Sequence, residues 1–162
     1  ILFAINDSED FDKPGNGTHW SVLVYDRAKN AFLHQDSFRG INRAAAVKLY
    51  RAVKGFVKPA RDDASYWIYG KKKCFRDEPR FCEGRTPQQT NLYDCGLYVL
   101  AIAEAMCSYW CEWMEEGEDV NWGYVLYHEV DEEEVETTMR DDVLKLILRK
   151  KKQLNSSPAP SR

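Results

Sequence analysis

The stretch Thr86-Pro87-Gln88-Gln89-Thr90-Asn91-Leu92-Tyr93-Asp94-Cys95-Gly96-Leu97-Tyr98-Val99-Leu100 sets one cysteine where turn-forming residues give way to an apolar run. Beyond it, Leu97, Leu100, Ala101, Ala105, Tyr109, Trp110 and Trp113 recur at helical spacing, which predicts a core helix from Cys95 to about Glu115. Asp94 is a natural N-cap residue and places Cys95 on the first turn. There the unpaired backbone N–H groups and the positive end of the helix dipole favour a thiolate, the nucleophilic form of cysteine. Gly96 allows close approach to that turn.

Toward the N-terminus, Thr18 to Tyr25 and Ala31 to Asp36 are two runs of strand type separated by Asp26-Arg27-Ala28-Lys29-Asn30, and together they predict a β-hairpin. Folding about Arg27 and Ala28 sets His19 opposite or nearly opposite Asp36. Cross-strand Cβ atoms lie about 4.5 to 5.5 Å apart, so the carboxylate can accept a hydrogen bond from the imidazole and fix its tautomer. A lone histidine or aspartate at a strand end is ordinarily structural. Beside Gln89 and Cys95, the pair reads as the base and orienting acid of a cysteine nucleophile.

These residues resemble the cysteine proteases that process ubiquitin-like modifiers, the sentrin or SUMO proteases and their deneddylase branch. The order His, Asp, Gln, Cys is that family's, and His19, Asp36, Gln89 and Cys95 match it position by position. The runs Gly17-Thr18-His19-Trp20-Ser21-Val22-Leu23-Val24-Tyr25, His34-Gln35-Asp36-Ser37 and Glu104-Ala105-Met106-Cys107 lean to the deneddylase branch. The resemblance implies an α+β fold of the papain-like type, with a central sheet packed by helices. It implies that Cys95 is the nucleophile, His19 the base, Asp36 its orienting acid, and Gln89 a part of the oxyanion hole. It places Trp20 over an extended Gly-Gly tail, where a flat ring admits glycine and excludes larger side chains.

The implied substrate is the C-terminal tail of a ubiquitin-like modifier, Nedd-type in preference to SUMO-type, cut from a precursor or from a substrate lysine. No metal or organic cofactor is required for that chemistry. The departure from the family is an N-terminal lobe, which carries a Trp-Leu-x-Asp-type motif and the other wall of the glycine tunnel, and which this chain lacks. A modifier-binding protein with little turnover and a protease of the adenovirus type are the other readings.

Composition sets the outer bounds. With 162 residues, 44% of them hydrophobic and 30% charged, the chain suits one domain with its own core. A formal net charge of −3 gives no overall field for nucleic acid or for a membrane, and a monomer is expected. Five cysteines in no zinc-binding pattern, without a signal peptide or an apolar run of spanning length, point to a reducing interior, cytoplasm or nucleus. Cys107 and Cys111, four residues apart, lack a ligand-spacing motif that would support zinc with Cys74 and Cys82.

Ile1 to Ile5, without an initial methionine, reads as a strand of an N-terminally incomplete domain spanning 1–154, and Asn6 to Gly17 as a polar loop. Asn42 to Val57 is a packing helix with Val47, Tyr50 and Val53 on one face, stopped by Pro59. Arg61 to Arg76 is an insertion with a strand near Tyr66 to Tyr69, and Arg80-Phe81-Cys82 is a strand leading to the cysteine loop. The acidic runs Glu115 to Glu118 and Asp131 to Glu136 read as solvated faces. Asp141 to Lys152 reads as an amphipathic helix with cations at its end, and 155–162 as a disordered tail.

Overall fold

Val22, Leu23, Val24 and Tyr25 are apolar toward both faces of a strand, and this decides the architecture: such a strand needs cover on each side. The computed structural model describes residues 1–8, 10, 16–59, 65–68, 71–74, 78–113 and 120–156. In chain order its elements are β1 (Leu2–Asn6), β2 (Trp20–Asp26), β3 (Ala31–Gln35), α1 (Arg43–Val53), β4 (Ser65–Ile68), β5 (Lys71–Cys74), β6 (Arg80–Glu83), α2 (Cys95–Trp113), α3 (Trp122–Glu129), α4 (Glu132–Thr137) and α5 (Met139–Ser156). A 3-10 turn, Lys54–Phe56, extends α1.

Strands β1, β2 and β3 are antiparallel neighbours, and β6 joins the far side of β3 in parallel, giving the order β1-β2-β3-β6. One face carries Ile5, Leu23, Tyr25 and Phe32 against Ala46 and the partly buried Leu49, Tyr50 and Val53 of α1. The other carries Val22 and Val24 against Tyr98, Ile102 and Met106 of α2 and Trp122, Val125 and Leu126 of α3. The alternation along β2 thus assigns successive side chains to two separate cores. Complete burial of one such large apolar side chain contributes about 1.5–3 kcal/mol. The sheet between helices is the expected α+β arrangement, consistent with a papain-like fold.

Three expectations need adjustment. The hairpin does not fold about Arg27 and Ala28. Its last pair is Asp26 with Ala31, and Asn30 takes a left-handed φ of 45° to close the four-residue loop. At the open end the ladder stops at Val22 with Gln35, so His19 stands three residues past it and Asp36 one. They are therefore diagonal rather than opposite, but an offset of two leaves every side chain on its face. On α2, Leu100 and Trp110 are 45% and 56% exposed, while Tyr98, Ile102 and Met106 form the buried ridge. That helix is apolar on nearly all sides, so packing on β2 and α3 selects the ridge. On α1 the fully buried residue is Ala46 rather than Val47.

The insertion forms the antiparallel pair β4 and β5, while 61–64, 69, 70 and 75–77 lie outside the described residues. So does the acidic run Glu115 to Glu118. Helix α5 runs on through Asn155 and Ser156, the first two residues of the expected tail; 157–162 are outside the described residues. Among the described residues no helix is long and apolar enough to cross a membrane.

Candidate active site

His19 and Asp36 meet at the open end of the hairpin. His19 Nε2 lies 2.6 Å from Asp36 Oδ1, and both side chains are buried. A carboxylate can only accept, so Nε2 carries the hydrogen and Nδ1 is left as the basic ring nitrogen. Oδ1 also accepts from the Phe38 N–H at 2.9 Å, and Oδ2 accepts from the Asn42 N–H at 3.0 Å. Burial pushes the Asp36 carboxyl up, but these hydrogen bonds outweigh it and hold the group below its ordinary value.

The surroundings fix this pair in place. Asp7, in the loop after β1, accepts from the backbone N–H groups of Thr18 and His19 at 2.6 and 2.9 Å, and Asn6 Nδ2 donates to the His19 carbonyl at 3.1 Å. A Cβ on Gly17 would collide with that Asn6 amide, so only glycine admits the contact. Behind Asp36, the fully buried Asn42 donates from Nδ2 to the Ile5 carbonyl at 3.1 Å and to Ser21 Oγ at 2.9 Å. Ser21 Oγ lies 3.0 Å from Nε2 of the buried His34, whose Nδ1 lies 2.8 Å from Glu83 Oε2. The Glu83 carboxylate can only accept, so Nδ1 carries the hydrogen of the neutral His34 ring and Nε2 accepts from the Ser21 hydroxyl, whose oxygen accepts from Asn42. The chain of bonds is thus directional and ties β2, β3 and β6 to the residue that holds Asp36.

Cys95 begins α2 and is 7% exposed. Asp94 stands in the N-cap position, where its carbonyl accepts from Leu97 and Tyr98 at 2.8 and 3.0 Å. The loop leading to Cys95 is fastened to the Asp36 segment. Gln88 Nε2 donates to the Asp36 carbonyl at 3.0 Å, the Gln89 N–H to the Ser37 carbonyl at 3.0 Å, and Ser37 Oγ to Gln89 Oε1 at 2.7 Å. Gln89 Nε2 in turn donates to the Asn91 carbonyl at 2.6 Å. Trp20, next to His19 at the start of β2, is 44% exposed. A Cβ on Gly96 would meet nothing within 4 Å, so the first turn of α2 has open space beside the cysteine.

His19 and Asp36 are therefore joined directly, and Gln89 is bonded to the residue after Asp36. A concavity of about 720 Å³, lined among others by Leu2, Val24, Met106, Trp110 and Trp122, contains none of the five candidate residues. It is a mainly apolar hollow, with Asp26, Arg27 and Lys58 also on its lining, and it lies apart from the candidate residues. Among the described residues no group of three or more His, Cys, Asp or Glu is placed to hold a metal ion. Cys107 and Cys111 lie exposed on α2. The supporting roles of Asp7, Ser21, His34, Asn42 and Ser37 leave no signal of their own in the sequence, because each partner lies on a different segment. The pairing of His34 with Ser21 follows once the hairpin register is known.

A free thiol opening the core helix, with a buried histidine–aspartate pair on the adjoining sheet, has the make-up of a papain-like cysteine peptidase domain. The chain belongs to the Ulp1 protease family: residues 13–121 match its C-terminal catalytic domain. It is 35% identical over 149 residues to NEDD8-specific protease 1 of Arabidopsis thaliana, covering 91% of this chain and 57% of that protein. It is 36% identical over 107 residues to sentrin-specific protease 8 of Homo sapiens, covering 66% of this chain and 42% of that one. The chain thus spans about half the length of the curated relatives it matches.

Proposed function

We propose that this chain is the catalytic part of a cysteine peptidase that cuts after the C-terminal Gly-Gly of a ubiquitin-like modifier, by precursor processing and by isopeptide deconjugation. The observation that carries the reading is the buried 2.6 Å pair of His19 and Asp36, with the cysteine loop bonded to Asp36 and Ser37. His19 Nδ1 takes the proton of Cys95, and Sγ attacks the glycine carbonyl. The Cys95 N–H and the second amide hydrogen of Gln89 donate to the oxyanion. The leaving amine takes the proton from His19, and water then cleaves the thioester and restores the thiol. Trp20 lies over the glycine tail, and the chain works as a monomer in a reducing compartment.

The names of the relatives support a NEDD8-type modifier as the preferred substrate over a SUMO-type one. Several tails end in Gly-Gly, so discrimination has to come from the folded surface of the modifier. The test is a competition between full-length NEDD8-type and SUMO-type probes that trap Cys95, on one preparation. Faster trapping by the NEDD8-type probe supports the assignment. Equal or faster trapping by the SUMO-type probe overturns it and leaves the protease assignment standing. No trapping by either removes the peptidase reading.

A further inference from the structure

The loop carrying Gln89 and leading to Cys95 contains no helix or strand between Gly84 and Asp94. Loops of this kind move unless their backbone is tied to something rigid. Beside the bonds to Asp36 and Ser37 already described, one helical stripe supplies further ties. Glu132 Oε1 accepts from the Gln88 N–H at 3.0 Å. Glu136 Oε1 accepts from the Thr90 N–H at 2.6 Å and from the Tyr98 hydroxyl at 3.1 Å, while its Oε2 accepts from Thr90 Oγ1. Arg140 pairs with Asp94, whose side chain is 1% exposed, and its guanidinium lies 5.7 Å from the centre of the Tyr93 ring.

These three residues are four apart in sequence, on α4 and the start of α5, and the Thr138 N–H to Glu134 carbonyl bond carries the helical course between the two. The stripe is itself anchored. Asp131 caps α4 by accepting from the Glu133 and Glu134 N–H groups, and Val135 is buried in the core beside α2. The acidic run Asp131 to Glu136 is therefore not a solvated face throughout: two of its carboxylates are engaged with the loop. Three of the gripped residues adjoin a candidate catalytic one. Gln88 and Thr90 flank Gln89, and Asp94 precedes Cys95. The stripe also lies beyond residue 121, where the family match ends.

We propose that Glu132, Glu136 and Arg140 are positioning residues that hold the oxyanion glutamine and the nucleophile in register with His19. The proposal rests on the peptidase reading for its effect on turnover, but not for its effect on the loop. Thr90 and Asp94 leave Gln89 and Cys95 little freedom while the stripe holds them. Arg140 also neutralises a buried carboxylate that would otherwise be an unpaired charge at the helix start. Hydrogen bonds from Thr90 are the main cause that holds the Glu136 carboxyl below its ordinary value, so it is the ionised, accepting form that grips the loop.

The experiment compares the full chain with Glu136→Gln, Thr90→Val, the double variant, and Glu133→Gln as a control on the exposed side of α4. Turnover of NEDD8-type and SUMO-type precursors, iodoacetamide alkylation of Cys95, and hydrogen exchange of the 88–94 amides are measured on each. The expected result for Glu136→Gln is a fall in kcat of about tenfold or more with KM changed less than about twofold, a slower Cys95 alkylation, and faster exchange at Thr90. The double variant is expected to be no worse than the poorer single one, because both remove the same contact. Unchanged kcat, alkylation and exchange in Glu136→Gln overturn the proposal, as does an equal loss in Glu133→Gln. If Glu136→Gln does not fold, Thr90→Val, which alters the contact from the loop side, decides the matter by the same three measurements. If the parent chain cleaves no precursor, the peptidase reading falls, while alkylation and exchange still decide the clamp.

Discussion

His19 and Asp36 share a buried 2.6 Å hydrogen bond although they are diagonal, not opposite, across the open end of their hairpin. The diagonal reach is possible because Asp36 lies beyond the last ladder pair, where its carboxylate is turned by the Phe38 and Asn42 N–H groups. The expected result of Asp36→Asn is a fall in kcat of about 10³- to 10⁴-fold, since an amide can donate to Nε2 and stabilise the wrong tautomer. His19→Ala is expected to abolish turnover while modifier binding persists. Steady-state kinetics beside a binding titration check both, and full turnover in His19→Ala would remove it from the mechanism.

The same carboxylate makes a pH prediction. Its folded pKa is depressed, so the unfolded chain binds the proton more readily than the folded one. The stabilisation is fully present above the unfolded value near 4 and is lost as pH falls through the lower folded value. Denaturant unfolding measured across the acid range is expected to show a shallower pH slope for Asp36→Asn than for the parent. Identical slopes would mean that Asp36 is not held as described.

Accessibility and chemistry make opposite predictions for the cysteines. Cys107 and Cys111 are exposed while Cys95 is 7% exposed, so access alone would favour the first two. On the proposed mechanism Cys95, a thiol at a helix start, is nonetheless expected to react first with iodoacetamide at neutral pH. Peptide mapping by mass spectrometry decides the order, and slower labelling at Cys95 would argue against an activated thiol.

Asn42 and Gln89 are both buried amides, and their loss should be felt differently. Asn42→Ala strips a fully buried donor from the Ile5 carbonyl and Ser21 hydroxyl, and is expected to cost about 1–3 kcal/mol of stability. Gln89→Ala is expected to cost about a hundredfold in kcat, roughly 3 kcal/mol of transition-state stabilisation, with a smaller change in stability. Thermal unfolding and kinetics on the two variants separate the roles.

Gly96→Ala tests the open space beside Cys95. An added Cβ meets nothing in the free chain, and alanine is the better helix former by about 0.5–1 kcal/mol, so the melting temperature should hold or rise. On the proposed reading a substrate tail approaches Cys95 through this space, so turnover of a whole modifier is expected to fall. Unchanged kcat/KM would show that the tail runs elsewhere.

What is legible in the sequence is what is local. The change from turn residues to a helix at Asp94 and Cys95, and the two strand runs around Asp26 to Asn30, stand in short windows and place the cysteine, the histidine and the aspartate. The register is not local in that sense: it depends on Asn30 taking a left-handed φ, which asparagine tolerates but does not announce. The buried ridge of α2 escapes because Leu100 and Trp110 are as apolar as Tyr98 and Ile102, and only the packing partner distinguishes them. Arg140 and Asp94 are 46 residues apart, and nothing in either neighbourhood marks them as partners.

The parallel pairing of β3 with β6 bears on how such a chain acquires its chemistry. His34 and Glu83 are 49 residues apart, so this edge of the sheet forms only after a long loop has closed, and non-local closures of this kind slow folding. The cysteine loop leaves directly from β6, and its last fastenings come from α4 and α5, later still in the chain. A nascent or partly folded chain therefore carries its thiol without the geometry to use it. Until those closures are made, the segments that carry His19, Asp36 and Cys95 have not been brought to their places in the fold.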